Sequence, residues 1–183
     1  FSPRLDAGGT ERPRSRALSL DELAQLFERI RETPNFGADN LLAIKLLLAL
    51  CVRKGELLGA RWEEFDLDGH TQAGAVWHLP AARTKTGEGL DIPLVPTVTE
   101  WLNRLRGMAA GSEYIFPKRR RDPRERVPHM GIDTLNVALL RVKHGLPHFT
   151  LHDLRRTART HLAALGVRRE VAERCLGHKL RGV

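Results

Sequence analysis

Leu41 to Leu50 reads LLAIKLLLAL, with one charge, Lys45, set among apolar side chains. A helix that is apolar on nearly every side has no face to offer water, so it must be sheathed by the rest of the chain. The run predicts a buried central helix with the other elements wrapped around it. Even extended to Val52 it falls short of the ~20 apolar residues that span a bilayer, and Lys45 breaks it. No membrane partner is expected. At 183 residues the chain is long enough for one domain with a substantial core.

Around that helix the pattern is helical on both sides of a short β-like insert. Phe1 to Ala17 is rich in Pro, Gly and Arg and reads as a linker, leaving residues 18–183 as the folded unit. The chain opens on Phe rather than Met and shows no signal-peptide pattern, so a piece of a longer protein is expected. Ser19 and Glu22 form a capping box, and Leu23, Leu26, Phe27 and Ile30 fall on one helical face. After RWEEFDLDGH the period changes: GAVWHLP and GLDIPLV read as strands, joined by AARTKTGE with its turn chemistry. Thr97 and Glu100 predict a second capping box and a helix with Val98, Trp101, Leu102 and Leu105 inward. Further helices are expected from about Asp133 to Gly145, Thr150 to Leu165, and Arg168 to Gly177. The fold class is α+β, mainly α, with a small antiparallel sheet.

Thirty Lys and Arg against 22 Asp and Glu give +8, with a sequence pI near 10.3. Such a surface favours a polyanion, nucleic acid first. Cys51 and Cys175 match no metal-ligand spacing and lie in apolar stretches, which predicts reduced core thiols and a cytoplasmic setting. No carboxylate cluster has metal-site spacing.

Four segments carry chemistry. In LHDLRRTARTHLAALG, the stripe Leu151, Leu154, Ala158, Leu162 and Leu165 faces the core, while His152, Arg155 and Arg159 share an adjoining face. A guanidinium fork binds two phosphate oxygens at once, and an imidazole one turn away can donate or move a proton. Arg53 stands where the apolar helix gives out, with Glu56 three residues on to orient it. Lys85 lies in the turn between the two strands, where a flexible ammonium can follow DNA. His178 follows Gly177, a residue type that ends helices in the left-handed conformation. Read singly, each fits a structural part as well. The first is a solvated basic face, with His152 capping or pairing with Asp153; the second is a helix-end ion pair. The other two are an exposed turn lysine and a surface histidine.

Their order along the chain is more specific. VRKGELLGARWEEFDLD, RTKTGE…IPL, YIFP, HDLRRTART and LGH together resemble the catalytic domain of the tyrosine recombinase (phage integrase) family. The VR-x-GEL and YIFP wording is similar to integrases of genomic islands and satellite phages. The likeness runs from about Leu18 to His178.

The resemblance implies a reaction and a role for each matching residue. A tyrosine hydroxyl attacks a DNA phosphate, and a 3′-phosphotyrosyl link forms that a second strand later resolves, giving site-specific integration or excision. Neither metal nor ATP nor another cofactor is called for. Arg53 and Arg155 would clamp the phosphate, Lys85 would protonate the leaving 5′-oxygen, His152 would transfer protons, and His178 would bond the phosphate. Glu56 and Asp153 would support the site. The partners implied are double-stranded DNA, other protomers in a DNA-bound tetramer, and accessory DNA-bending proteins. DNA contacts are expected from Arg83, Lys118, Arg119, Arg120, Arg121 and Arg156.

Two departures stand out. Leu90 occupies a position where relatives often carry histidine. The family's tyrosine lies downstream of the LGH histidine, whereas the single tyrosine here is Tyr114, in YIFP. These residues on their own are therefore expected not to cleave DNA. A non-catalytic, architectural DNA-binding relative and a type IB topoisomerase are the competing readings; the intact clamp positions speak against the first, and the LGH wording and small size against the second.

Overall fold

A computed structural model describes residues 16–71, 74–119 and 128–177. Seven described helices accompany one three-stranded sheet: α1 (Leu20–Glu32), α2 (Ala38–Leu50), α3 (Lys54–Leu58), β1 (Phe65–Thr71), β2 (Gly74–Leu79), β3 (Leu90–Pro93), α4 (Pro96–Met108), α5 (Ile132–Leu140), α6 (Leu151–Ala164) and α7 (Arg169–Cys175).

The central-helix expectation holds. In α2, Leu42, Ala43, Ile44, Leu46, Leu47 and Leu50 are all buried, and α3, α4 and α6 pack against it. Lys45, the charge in the run, lies over the Trp101 ring at 5.1 Å, so its stem crosses apolar surface while its ammonium meets a π face. Ser19 caps α1 as expected: its hydroxyl accepts from Glu22 N, and Glu22 accepts from Ser19 N.

The sheet is an antiparallel meander in the order β1-β2-β3, pairing Phe65 with Trp77, Trp77 with Ile92, and Leu79 with Leu90. Trp77 is fully buried and stacks on Phe65 at 5.1 Å. Its indole N–H donates to Glu64 at 2.9 Å, which is what lets a polar ring tip sit inside. β1 is a strand that sequence periodicity did not separate from its surroundings, because FDLDGHT alternates around charged and glycine residues.

Several boundaries differ from expectation. α4 begins at Pro96 with Val95 as N-cap, and no Thr97–Glu100 box forms. Proline's fixed φ is already helical, so the helix starts one residue before Thr97, and Glu100 pairs with Arg104 instead. α5 ends at Leu140 rather than near Gly145. Leu165, assigned to the buried stripe, is 79% exposed because α6 has already ended there. The linker-like residues 1–15 lie outside the described residues.

The entry to the domain is fixed to α6. Leu18 N donates to Thr157 Oγ1 at 3.0 Å, and the Leu18 carbonyl lies 2.9 Å from His161 Nε2. Both backbone groups of one buried residue are thereby satisfied by a helix 139 positions away in sequence.

Candidate active site

At the end of α2 the chain turns through Cys51 in the left-handed conformation, φ 55°. A side chain with a Cβ gives up about 1 kcal/mol or more there. The turn aims the Cys51 carbonyl at Arg155, whose Nη1 donates to it, and starts α3 at Arg53. Arg155 Nη2 donates to the Leu176 carbonyl at the end of α7. One guanidinium fork thus ties the end of the central helix to the end of the last described helix.

Arg53 is held from the other side. Glu56, only 6% exposed, accepts from Arg53 N at 2.7 Å and from Arg53 Nη1 at 2.8 Å. The carboxylate therefore fixes both the backbone and the side chain of Arg53, and serves as the N-terminal cap of α3.

Arg53, Glu56 and Arg155 line one cleft of about 920 Å³, walled by the end of α2, the β2–β3 loop, β3, and the last turn of α7. Burial presses the Arg155 guanidinium below its ordinary pKa, and the positive charge of Arg53 adds to that; Glu56, Cys51 and Glu173 pull the other way. The two arginines repel across a partly desolvated space. An anion between them would relieve that repulsion, which suits the cleft chemically to a phosphate-like group.

The other expected residues fall out unevenly. Thr84 and Thr86 line the cleft, but Lys85 between them is exposed and is not on its wall. His152 is exposed at the start of α6 and likewise off the wall. His152, Arg155 and Arg159 do not act as one face: Arg155 is buried, and Arg159 turns to Glu173 at 2.6 Å. Asp153 does not pair with His152. Its Oδ2 accepts from Thr150 N and Oγ1, both at 2.8 Å, and its Oδ1 from Arg156 at 3.0 Å. It starts the helix that carries Arg155. Gly177 takes φ 57°, the left-handed cap expected of it, while His178 lies outside the described residues.

The expected DNA-facing cations need correcting in part. Arg83 points inward: its Nη1 and Nη2 donate to the Gly59 and Glu56 carbonyls, and its Nε stands 3.1 Å from Glu64. Orphan carbonyls at the end of the short α3 draw it there. Arg119 is engaged with Asp39 at the start of α2 but stays 59% exposed, and Lys118 is half-buried. Arg156 is tied to Asp153, and Arg120 and Arg121 lie outside the described residues. Cys51 is buried as expected; Cys175 is exposed and lines the cleft. Tyr114 is 7% exposed, and its hydroxyl accepts from Arg61 at 3.0 Å, a packing role.

Sequence reasoning missed the carbonyls of Cys51 and Leu176 and the cleft residue Arg174. The carbonyls leave no trace in side-chain identity. Arg174 lies four positions before His178 in sequence, and that spacing was the available signal.

The sequence model described as the phage integrase family matches residues 16–181. The chain belongs to the phage integrase family. Among family members, it is 30% identical over 158 residues to the prophage integrase IntA of Escherichia coli (strain K12), covering 86% of this chain and 36% of that protein. It is 33% identical over 88 residues to the integrase of Enterobacteria phage P4, covering 42% and 19%. The chain thus spans about a third or less of the curated integrases it matches. Its fold is that of integrase catalytic domains. It superimposes on Tn1549 transposon integrase (residues 82–397) in complex with circular intermediate DNA with TM-score 0.71 at 17% identity, covering 93% of this chain and 60% of that one. A lambda integrase dimer bound to a COC′ core site gives 0.68 at 21%, covering 96% and 60%. No described helix is long and apolar enough to cross a membrane.

Proposed function

We propose that this chain is the phosphate-gripping body of a site-specific DNA recombinase that cuts and rejoins duplex DNA through a 3′-phosphotyrosyl intermediate. The observation that carries the reading is the convergence of Arg53 and Arg155 on one cleft, with Arg53 oriented by the buried Glu56. An attacked phosphodiester gains charge on its non-bridging oxygens, and two fixed guanidinium groups meet that charge without having to reorganise.

In the proposed step, a tyrosine oxygen forms a bond to phosphorus, the bond to the 5′-oxygen breaks, and that oxygen takes up a proton. Lys85 delivers the proton after the β2–β3 loop closes on bound DNA, since its loop neighbours already line the cleft. His152, exposed at the start of α6, and His178 complete the proton handling and phosphate contacts. The nucleophile is not Tyr114, which is buried and bonded to Arg61, so it comes from outside these residues. Reversal by the 5′-hydroxyl of another strand rejoins the DNA and restores the tyrosine, so no external energy source enters the balance.

Among solved relatives, lambda integrase has been seen as a tetramer bound to a Holliday junction. By analogy this protein acts as one protomer of a DNA-bound tetramer, with accessory DNA-bending proteins helping to set the geometry. Lys118, Arg119 and Arg156 keep enough exposure to meet the DNA backbone beside their protein partners.

The test uses the full-length protein on a nicked suicide substrate for its attachment site, resolved by denaturing gel. A covalent protein–DNA band that disappears in Arg53→Ala and in Arg155→Ala is expected. A band that persists in both variants sinks the assignment of the clamp. Plasmid relaxation without strand exchange between sites favours a topoisomerase.

A further inference from the structure

The cleft holds a third arginine that the expected catalytic set does not use. Arg174, in the last turn of α7, lines the same cavity as Arg53 and Arg155. The three differ in how their charge is engaged. Arg155 spends its fork on the Cys51 and Leu176 carbonyls, and Arg53 is held by Glu56. Arg174 is exposed, and among the described residues no carboxylate or carbonyl engages its side chain. Of the acidic groups nearby, Glu173 holds Arg159, Asp91 stands 2.7 Å from His78, and Glu88, which also lines the cleft, has an interaction of its own.

An exposed guanidinium on the wall of a cleft that already holds two others is screened by water and can turn to an anion that enters. The cavity, about 920 Å³, lies near the upper end of the range for small-molecule pockets and is roomier than one phosphodiester requires. Successive phosphates of one DNA strand follow at about 3.4 Å along the helix axis, so a strand laid in the cleft brings more than one charge into it.

We infer that Arg174 is a DNA-binding residue that grips a phosphate flanking the one held by Arg53 and Arg155. The inference rests on the recombinase reading above. In it, Arg174 positions the strand and takes no part in proton transfer. It gives the last described helix a tie to the DNA strand.

The experiment measures binding of full-length protein to a fluorescent 30-base-pair duplex by anisotropy between 50 and 200 mM KCl. Each phosphate contact contributes about −0.9 to the slope of log K against log salt. Arg174→Gln is expected to flatten the slope by about that amount, so its affinity deficit against wild type shrinks about 3.5-fold across the range. Arg174→Lys keeps the charge and is expected to keep the slope. Arg169→Gln, on the same helix but off the cleft wall, is expected to match wild type. Because Arg174 is exposed and unbonded, melting temperatures should agree among all four proteins. A Gln variant with the wild-type slope, a Lys variant with the Gln slope, or an Arg169 variant that flattens equally overturns the inference. A wild-type protein that shows no salt-dependent binding takes the recombinase reading down with it.

Discussion

Replacing Glu56 by glutamine tests the link between the buried carboxylate and the cleft. The native side chain makes two charge-assisted hydrogen bonds, to Arg53 N at 2.7 Å and Arg53 Nη1 at 2.8 Å. Hydrogen bonds to a charged group contribute about 1.5–3 kcal/mol net. Glutamine keeps one carbonyl oxygen and loses the charge, so one of the two bonds goes and the other weakens. Arg53 is 27% exposed, and water will take up part of the loss, which puts the cost near the lower end, about 1.5 kcal/mol. For a domain of this size that lowers Tm by about 3–6 °C, read by circular dichroism. The consequence for chemistry should be larger. A guanidinium displaced by about 1 Å from its working position can lose about 100-fold in rate. The covalent adduct should therefore form about 10- to 100-fold more slowly in the Gln variant at a temperature where both proteins are folded. A variant that melts lower but cleaves at the wild-type rate would show that Glu56 stabilises α3 without orienting Arg53. Unchanged melting and unchanged rate together would refute the geometry itself.

Three further outcomes are expected. Burial pushes the Cys51 thiol up to about 11, with the nearby Cys175 adding to the rise and Arg155 opposing it. Cys51 should therefore resist iodoacetamide at pH 8 while the exposed Cys175 is alkylated, as peptide mass spectrometry would reveal; equal labelling of both contradicts the burial. The sign of the accompanying stability change follows from the raised value. The folded state keeps a proton on Cys51 that the unfolded chain releases, so this contribution is full below about pH 9 and is lost as pH rises toward about 11, by about 3 kcal/mol. Thr157→Val removes the acceptor for Leu18 N in a fully buried site, at a cost of about 1–3 kcal/mol. Limited trypsin digestion should then cut earlier at Arg16, and an unchanged cleavage rate would argue against the latch.

Much of the scaffold could be read from residue pattern. LLAIKLLLAL can satisfy itself in only one way, by going inside, and Ser19 with Glu22 can cap a helix using neighbours three positions apart. Interactions of that range are written in the local sequence. So are the family motifs, because each places a reactive residue type at a fixed offset from a turn or helix end.

What the sequence did not decide is where the charges go. Nothing in RTKTGEG says that Arg83 turns inward to the carbonyls of α3 while Lys85 stays in solvent. Nothing in ERCLGH says that Arg174 has no partner among the described residues while Arg155, 19 positions earlier, takes the Leu176 carbonyl. A guanidinium settles on whichever acceptors the packed chain leaves unsatisfied, and those acceptors belong to segments as much as 104 residues away. Sequence by itself determined a mainly helical, basic, integrase-family domain and named the clamp arginines. Only the tertiary structure decided which arginines bond to the protein's own carbonyls and carboxylates and which, among the described residues, does not, because that depends on long-range backbone geometry that residue identity does not encode.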